Sequence, residues 1–563
     1  MQTGNTNTRF DLSPAIRIGL IGGIITLLMC LIGIVEVSIV RAVVYPILSL
    51  GQTLLLLAYL LFCSMAVRRM LAISGRALPR LWVVGSGALA GLLISVFLAA
   101  LVLIGNWINL RSVLIRASPQ LFDLLTFGLG LVPGIIALLL FGLILGALVG
   151  AIYLLPDRLR RALVLGLSLI PLFAIIGSAF FAQRGVTLLV AVIVFVVGAG
   201  ATYLWSGVGG SVKQRIASLP PARQRAYKIS QMVLAALVVV ILPLSGSYPS
   251  QVLDLVGLYV LMGLGLNIVV GFAGLLDLGY VAFFALGAYT MGVLTSPEIQ
   301  WATMQLFGFQ LSFWTALPFA VLVATLAGII LGVPVLGMRG DYLAIVTLGF
   351  GEIIRIVALS DWLKPYIGGS NGITRIPRPE IGPLSFNTPG SLYYLIVIGC
   401  LLAAFVAIRV KDSRLGRAWM ALREDEDVAQ AMGINLVKTK LLAFATGAAF
   451  SGLSGAFFAT MIGSIYPHSF TLMISINALS VIIVGGMGSI PGVLVGAIAL
   501  VGLPEILREF SEYRLLLFGA ALVLMMLTRP EGLIPEARRK IELHEAEADT
   551  LDESAEKHVT VPA

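Results

Sequence analysis

Charge is what this chain has least of. Only 12% of its 563 residues are Asp, Glu, Lys or Arg, against roughly 25% in a soluble domain, while 59% are hydrophobic and mean hydropathy is +1.02. Too few polar groups remain to cover a water-exposed globule. Cysteine is also scarce: Cys30, Cys63 and Cys400 all lie inside apolar runs, so they read as buried small hydrophobes and argue against a disulfide or metal framework. Of the three histidines only His468 lies near an apolar span, where it reads as a polar cap. The chain has no Gly-Lys dipeptide and so no P-loop, and neither H-E-x-x-H nor C-x-x-C occurs. GGSNG (368–372) fits G-x-S-x-G in form only, because that motif makes a nucleophile on a strand-to-helix turn with a histidine partner. These absences disfavour an enzyme and leave transport or scaffolding.

What is abundant is apolar sequence in runs of about 20 residues, the length of helix that crosses a hydrocarbon core of roughly 30 Å. The fold class is all-α and polytopic, with the lipid bilayer as solvent. The 61 glycines suit it, since small residues let helices approach closely in lipid. Spans are expected at 15–35, 42–67, 81–104, 124–154, 162–182 and 186–205. Positive charge gathers in the alternate loops 68–80, 157–161 and 213–228, so the net charge of +9 is read as orientation by the positive-inside rule rather than as a nucleic-acid surface. No cleavable signal peptide is expected: residues 1–14 are mostly polar and the run after Arg17 is long enough to span.

This divides the chain into an N-terminal membrane region of six spans (1–212), a basic cytoplasmic linker (213–228) with Pro220-Pro221, and a second membrane region (229–535). In the second region spans are expected at 229–247, 251–272, 278–295, 313–338, 343–359, 391–410, 439–463 and 513–528. Keeping the tail inside requires 473–503 to be two short spans broken at GGMGSIPG (485–492), where glycines and a proline interrupt helical continuity. Both termini are then cytoplasmic, and the acidic segment 541–563 is expected to be disordered.

Five charged residues stand together at Arg423–Asp427, between spans and on the cytoplasmic side. Glu424 or Asp425 can begin a helix there, since carboxylates favour the positive end of the helix dipole. Val428, Ala429, Ala431 and Met432 give a small apolar face, and Gly433 suits the position just past the end. The helix would have about eight residues and a length of roughly 12 Å. One reading is a solvated return loop. The other is a knob that docks in a groove of another protein.

The segment LREDEDVAQAMGINLVKTKLLAFATGAAFSGLSGAFFA (422–459) resembles the cytoplasmic loop of permease subunits of bacterial ABC importers for branched-chain amino acids, and of these the LivM type. Four further segments agree in order: 265–290, 339–356, 368–373 and 478–497. Five ordered motifs make the resemblance specific over about 229–535. It does not extend to residues 1–212, whose role stays open between packing in lipid and binding a regulator or partner.

The resemblance implies a permease bundle of about ten spans preceded by the six extra ones. It also implies a second, LivH-type permease subunit, two cytoplasmic ATPase subunits that hold ATP and magnesium, and an extracytoplasmic solute-binding protein. The chain itself would carry no cofactor, metal or catalytic residue, and would sit in the bacterial inner membrane. Residues 423–434 would be the coupling helix, with Arg423, Glu424 and Glu426 orienting it, Val428, Ala429 and Met432 in apolar contact, and Gly433 fixing its end. Substrate-pathway candidates are Asn267, Asp277, Tyr280, Tyr289 and Glu352, because intramembrane polar groups face a bundle interior. Glu352 also reads as the i, i+3 partner of Arg355, and Phe283 and Phe284 as ordinary packing. Gly488, Gly492 and Gly496 have GxxxG spacing, which suggests tight helix packing at a subunit interface. Within the family, urea and short amides are alternative solutes. Outside it, a self-contained secondary transporter would need repeats and ion-coupled charges that the sequence does not display.

Overall fold

The computed structural model describes residues 12–39, 42–45, 47–74, 79–108, 116, 118–181, 186–217, 220, 230, 237, 239–299, 311–338 and 340–506, with isolated positions between 519 and 535. Residues 229, 231–236 and 238 of the expected span at 229–247, most of the linker and of the span at 513–528, and the acidic tail lie outside the described residues. Among those described, ten helices are long and apolar enough to cross a membrane. The chain divides into two compact units after Val233.

The first unit contains α1 (Ser13–Ile32), α2 (Leu50–Ser74), α3 (Arg80–Trp107), α4 (Leu131–Tyr153), α5 (Asp157–Phe181) and α6 (Leu188–Ala217). Its tightest contact is between α3 and α4, where backbone meets backbone. A Cβ on Gly91 would collide with the Gly142 carbonyl, and one on Gly87 with the Gly146 carbonyl. Two expected spans are corrected. The segment 42–67 is not all helix: Ala42–Tyr45 forms β1 and Leu48–Ser49 forms β2, and α2 starts only at Leu50. The β-branched Val43 and Val44 favour the extended state, and Val44 pairs in parallel with Val186 of a third strand, β3 (Val186–Thr187). Likewise 124–154 splits into a short helix, Pro119–Leu125, and α4. Between them Phe127, Gly128 and Gly130 all have positive φ, which no right-handed helix accommodates.

The second unit runs α7 (Ser247–Leu266), α8 (Tyr280–Thr295), α9 (Phe313–Val335), α10 (Asp341–Leu359), α11 (Pro389–Lys411), α12 (Arg414–Glu424), α13 (Glu426–Ala431), α14 (Leu436–Ile462), α15 (Leu472–Gly485) and α16 (Ile490–Ala497). α7 continues as a π-helical stretch, Asn267–Phe272, and α16 as Ile498–Gly502. The hub is α14, which packs on α7, α8 and α9. Small residues make this possible: a Cβ on Gly455 would strike the Phe284 carbonyl of α8, and one on Gly452 the Ala324 side chain of α9. The loop after α10 is a structured turn, in which Ile373 and Ile465 exchange backbone hydrogen bonds of 2.9 and 2.8 Å. Ser370 of GGSNG sits in a 3-10 turn, not on a nucleophile elbow.

The break in 473–503 is present, and its freed carbonyls are satisfied. Gly486 and Gly488 adopt positive φ, and Ser489 caps α16 by accepting from the Gly492 amide at 3.1 Å. The amides of Leu533 and Ile534 then donate to the carbonyls of Val484 and Gly485 at 2.8 and 2.9 Å.

Because the hub has no room at the α14–α8 contact, Gly455→Leu should destabilise the purified chain by about 2–3 kcal/mol. Gly349→Leu, which meets nothing within 4 Å, should stay within about 0.5 kcal/mol. Thermal unfolding in detergent checks both, and equal effects would contradict the packing account.

Candidate functional site

The charged segment folds as a helix–helix–helix turn locked at every joint. Ser413 accepts from the Gly416 amide at 3.3 Å and starts α12. The expected spans do not include this helix, although Leu415, Trp419 and Leu422 recur at helical spacing. Trp419 is wholly buried, and its indole donates to the Thr439 carbonyl at 2.9 Å, tying α12 to α14. Asp425 is extended, and its Oδ1 accepts from the amides of Asp427 and Val428 at 2.8 and 2.9 Å, capping α13. At the far end the Gly433 amide donates to the Gln430 carbonyl (2.9 Å) and the Ile434 amide to that of Ala429 (3.1 Å). This is the Schellman arrangement, and it needs the φ of +88° that Gly433 adopts and that a side chain would strain. Asn435 then caps α14 through the Lys438 amide at 3.0 Å. The helix has six residues rather than about eight, because Asp425 is its cap and Met432 already leaves it.

Side-chain directions sort the seven coupling candidates. Val428 and Met432 are 58% and 79% exposed, and Glu424 is exposed as well. Ala429, expected on the docking face, is buried, because it points at the chain's own bundle. Arg423 and Glu426, expected to orient the helix in a partner's groove, are engaged within the chain. Arg423 donates to the Gly271 carbonyl at 2.8 Å, packed against Gly274, where a Cβ would meet Arg423 Cγ at 2.6 Å. Glu426 lies 2.8 Å from the Lys440 ammonium. Lys440 is 3% exposed and Glu426 18%, so this pair is largely desolvated.

The pathway candidates occupy separate stations in the bundle. Asn267 opens the π stretch of α7, and its Oδ1 accepts from the Gly488 amide at 2.8 Å, linking α7 to the break after α15. Asp277 lies between α7 and α8, fully buried, with Oδ1 accepting from the Gly279 amide at 2.9 Å. Its Oδ2 has no partner among the described residues. Tyr280 donates to the Gly447 carbonyl at 2.8 Å. Tyr289 packs on Phe470, with ring centroids 5.6 Å apart, and its buried hydroxyl has no partner among the described residues. Glu352 pairs with Arg355 at 2.7 Å on α10. Sequence reasoning passed over Asp254: it lies wholly buried on α7 with neither oxygen bonded among the described residues, and a lone acid in the run 251–272 was the available signal.

The glycine series is corrected in one member. Gly488 lies in the turn, at φ +83°, and the packing glycines of α16 are Gly492 and Gly496. They press on α15 of the same chain, at Gly485 and the Val481 carbonyl, so the close contact is an internal helical hairpin.

Glu426→Gln would leave the buried Lys440 ammonium without an opposing charge among the described residues, held by an amide oxygen and the Leu336 carbonyl 3.4 Å away. It should destabilise the α13 joint by about 3 kcal/mol. Glu426→Gln/Lys440→Met should recover most of that loss, because the stranded charge is gone. Thermal unfolding together with hydrogen exchange at α13 reads both; a double variant as unstable as the single would refute the pairing.

The chain was compared with known proteins. A family model described as branched-chain amino acid transport system / permease component matches residues 248–526. The LivM permease protein of the high-affinity branched-chain amino acid transport system of Salmonella typhimurium is 42% identical over 314 residues, covering 52% of this chain and 71% of the relative. Its Escherichia coli K12 counterpart is 42% identical over 309 residues, covering 51% and 70%. The Salmonella typhimurium LivH permease protein is 24% identical over 302 residues, covering 50% and 93%. No solved structure matches. The aligned relatives and the apolar helical bundle together place this chain in the family of branched-chain amino acid transport permeases, as a LivM-type member.

Proposed function

We propose that this chain is the LivM-type permease subunit of an ATP-driven importer for branched-chain amino acids. It would sit in the bacterial inner membrane with both termini cytoplasmic. Its partners would be a LivH-type permease, two cytoplasmic ATPase subunits that bind ATP and magnesium, and an external solute-binding protein. The observation that carries this reading is α13: a six-residue helix, capped at both ends, that turns Val428 and Met432 outward. A short rigid helix with an apolar face ringed by charge suits a groove on a water-soluble partner.

The inward side of the same joint supplies a route for the work. Motion of α13 would pull on Arg423 and hence on the Gly271 carbonyl. Gly271 belongs to the π stretch that Asn267 begins, and Asn267 holds the Gly488 amide at the α15–α16 break. A push at the docking helix thus reaches two interrupted helices through hydrogen bonds rather than compressible packing. Packed elements of this kind have discrete arrangements and shift as units. Among the described residues, Asp277 Oδ2 and the Tyr289 hydroxyl have no hydrogen-bond partner. On this reading they meet the solute's ammonium and carboxylate in turn as α7, α8 and α15 part. The surrounding apolar side chains suit a branched aliphatic side chain.

Val428→Asp/Met432→Asp should fold as the wild type, lose co-purification with the ATPase subunits, and lose at least about 90% of ATP-dependent leucine uptake into vesicles. An ATPase retained by that variant would sink the docking reading. Arg423→Gln should instead keep the ATPase bound and hydrolysing while uptake falls about tenfold. Uptake in step with hydrolysis would show that Arg423 transmits nothing. Competition by isoleucine and valine, but not by urea, assigns the solute.

A further inference from the structure

The first unit ends on one side in a cluster of arginines that the transport reading does not use. Arg68 and Arg69 lie in the last turns of α2, Arg80 begins α3, and Arg158, Arg160 and Arg161 lie in the first turns of α5. On these turns Asp157 is the one carboxylate among the described residues. The cluster has a centre. Arg68 donates through Nε to the Tyr153 hydroxyl at 2.6 Å, with its guanidinium 5.8 Å from the ring centroid. The guanidinium of Arg160 stands 4.9 Å from the same centroid and meets Asp157 at 2.7 Å.

Two cations from two helices are therefore held on one tyrosine, and a single carboxylate answers them. Like charges brought together this way repel unless an anion joins them. The Nη groups of Arg68 have no acid partner among the described residues, and a guanidinium fork fits a phosphate oxygen pair. The neighbouring residues are apolar: Leu81 is 85% exposed, and Leu154 and Leu159 are exposed too. α3 begins beside the end of α4, since a Cβ on Gly150 would meet Val83 and Val84, which brings Leu81 to the same end as Leu154. A tyrosine at the end of a spanning helix marks the headgroup level. A free phosphate would use the charge but not the leucines.

We propose that this end of the N-terminal unit binds the phosphodiester headgroup of an anionic glycerophospholipid. Arg68 and Arg160 grip the phosphate across Tyr153, and the acyl chains run along Leu81, Leu154 and Leu159. The extra spans then tie the permease to anionic lipid, independently of how transport is driven.

The test is native mass spectrometry of the full chain in neutral detergent, titrated with phosphatidylglycerol, phosphatidylcholine or inorganic phosphate. Phosphatidylglycerol should bind about tenfold or more tightly than phosphatidylcholine, and inorganic phosphate should not compete with it at equal concentration. Arg68→Gln/Arg160→Gln should abolish that preference, while Arg414→Gln/Arg417→Gln, with the same loss of charge in the other unit, should keep it. Tyr153→Phe retains both charges but removes the acceptor of Arg68, and should weaken the lipid a few-fold even if the double variant does not fold. Equal binding of the two lipids by the wild type would overturn the proposal. So would an unchanged preference in Tyr153→Phe, or displacement by inorganic phosphate, which would mark a free-anion site.

Discussion

A peptide group in hydrocarbon has no water to bond, and each unpaired one costs several kcal/mol. A continuous helix meets this demand by itself, but the second unit is not built of continuous helices. It has a π stretch at Asn267–Phe272, an irregular link at 273–279 and a break after Gly485, and each is closed by a group from elsewhere in the chain. Arg423 takes the Gly271 carbonyl, and Asn267 takes the Gly488 amide. Thr347 accepts from the Leu278 amide, Ser475 from that of Val281, and the 533–534 backbone fills Val484 and Gly485. Interrupted helices are tolerated at membrane depth where protein re-satisfies them, and they are also where a bundle can bend.

Close approach makes these closures possible. Small residues on α14 bring its backbone against α8 and α9, and dispersion across such contacts replaces the hydrophobic drive that lipid cannot supply between helices. Large side chains at Gly452 or Gly455 would hold the helices apart and pull the short polar side chains beyond hydrogen-bonding range. Packing and polar satisfaction are therefore one constraint seen from two sides. The charged joint obeys it too: Lys440 is affordable inside only because Glu426 reaches it.

The legible part of the fold was the part that depends on near neighbours. Apolar runs located α1, α3, α7, α8, α9, α10, α11 and α14 to within a few residues, because burial of a spanning helix is a property of its own sequence. Each misreading has a physical cause. Val43 and Val44 are as apolar as helix residues, so hydropathy missed that Val44 pairs with Val186, some 140 residues away. Phe127 sits in an apolar run, and only its positive φ marks the bend. α12 is legible in the spacing of Leu415, Trp419 and Leu422, although the dense charge that follows it masks the pattern.

The sequence by itself determined the membrane class, the family, the break at GGMGSIPG and a short helix ended by Gly433. Composition, motif order and backbone preference are all written within a few residues. Tertiary structure alone decided which face of that helix is free and which is tied. Arg423 and Glu426 look like surface charges in the sequence. Their partners, Gly271 and Lys440, lie 152 and 14 residues away, and only folding brings a carbonyl and a buried ammonium within reach. The same holds for Asn267 and Gly488, 221 residues apart. Hydrogen bonds act over about 3 Å, and no pattern along the chain records a distance closed in space.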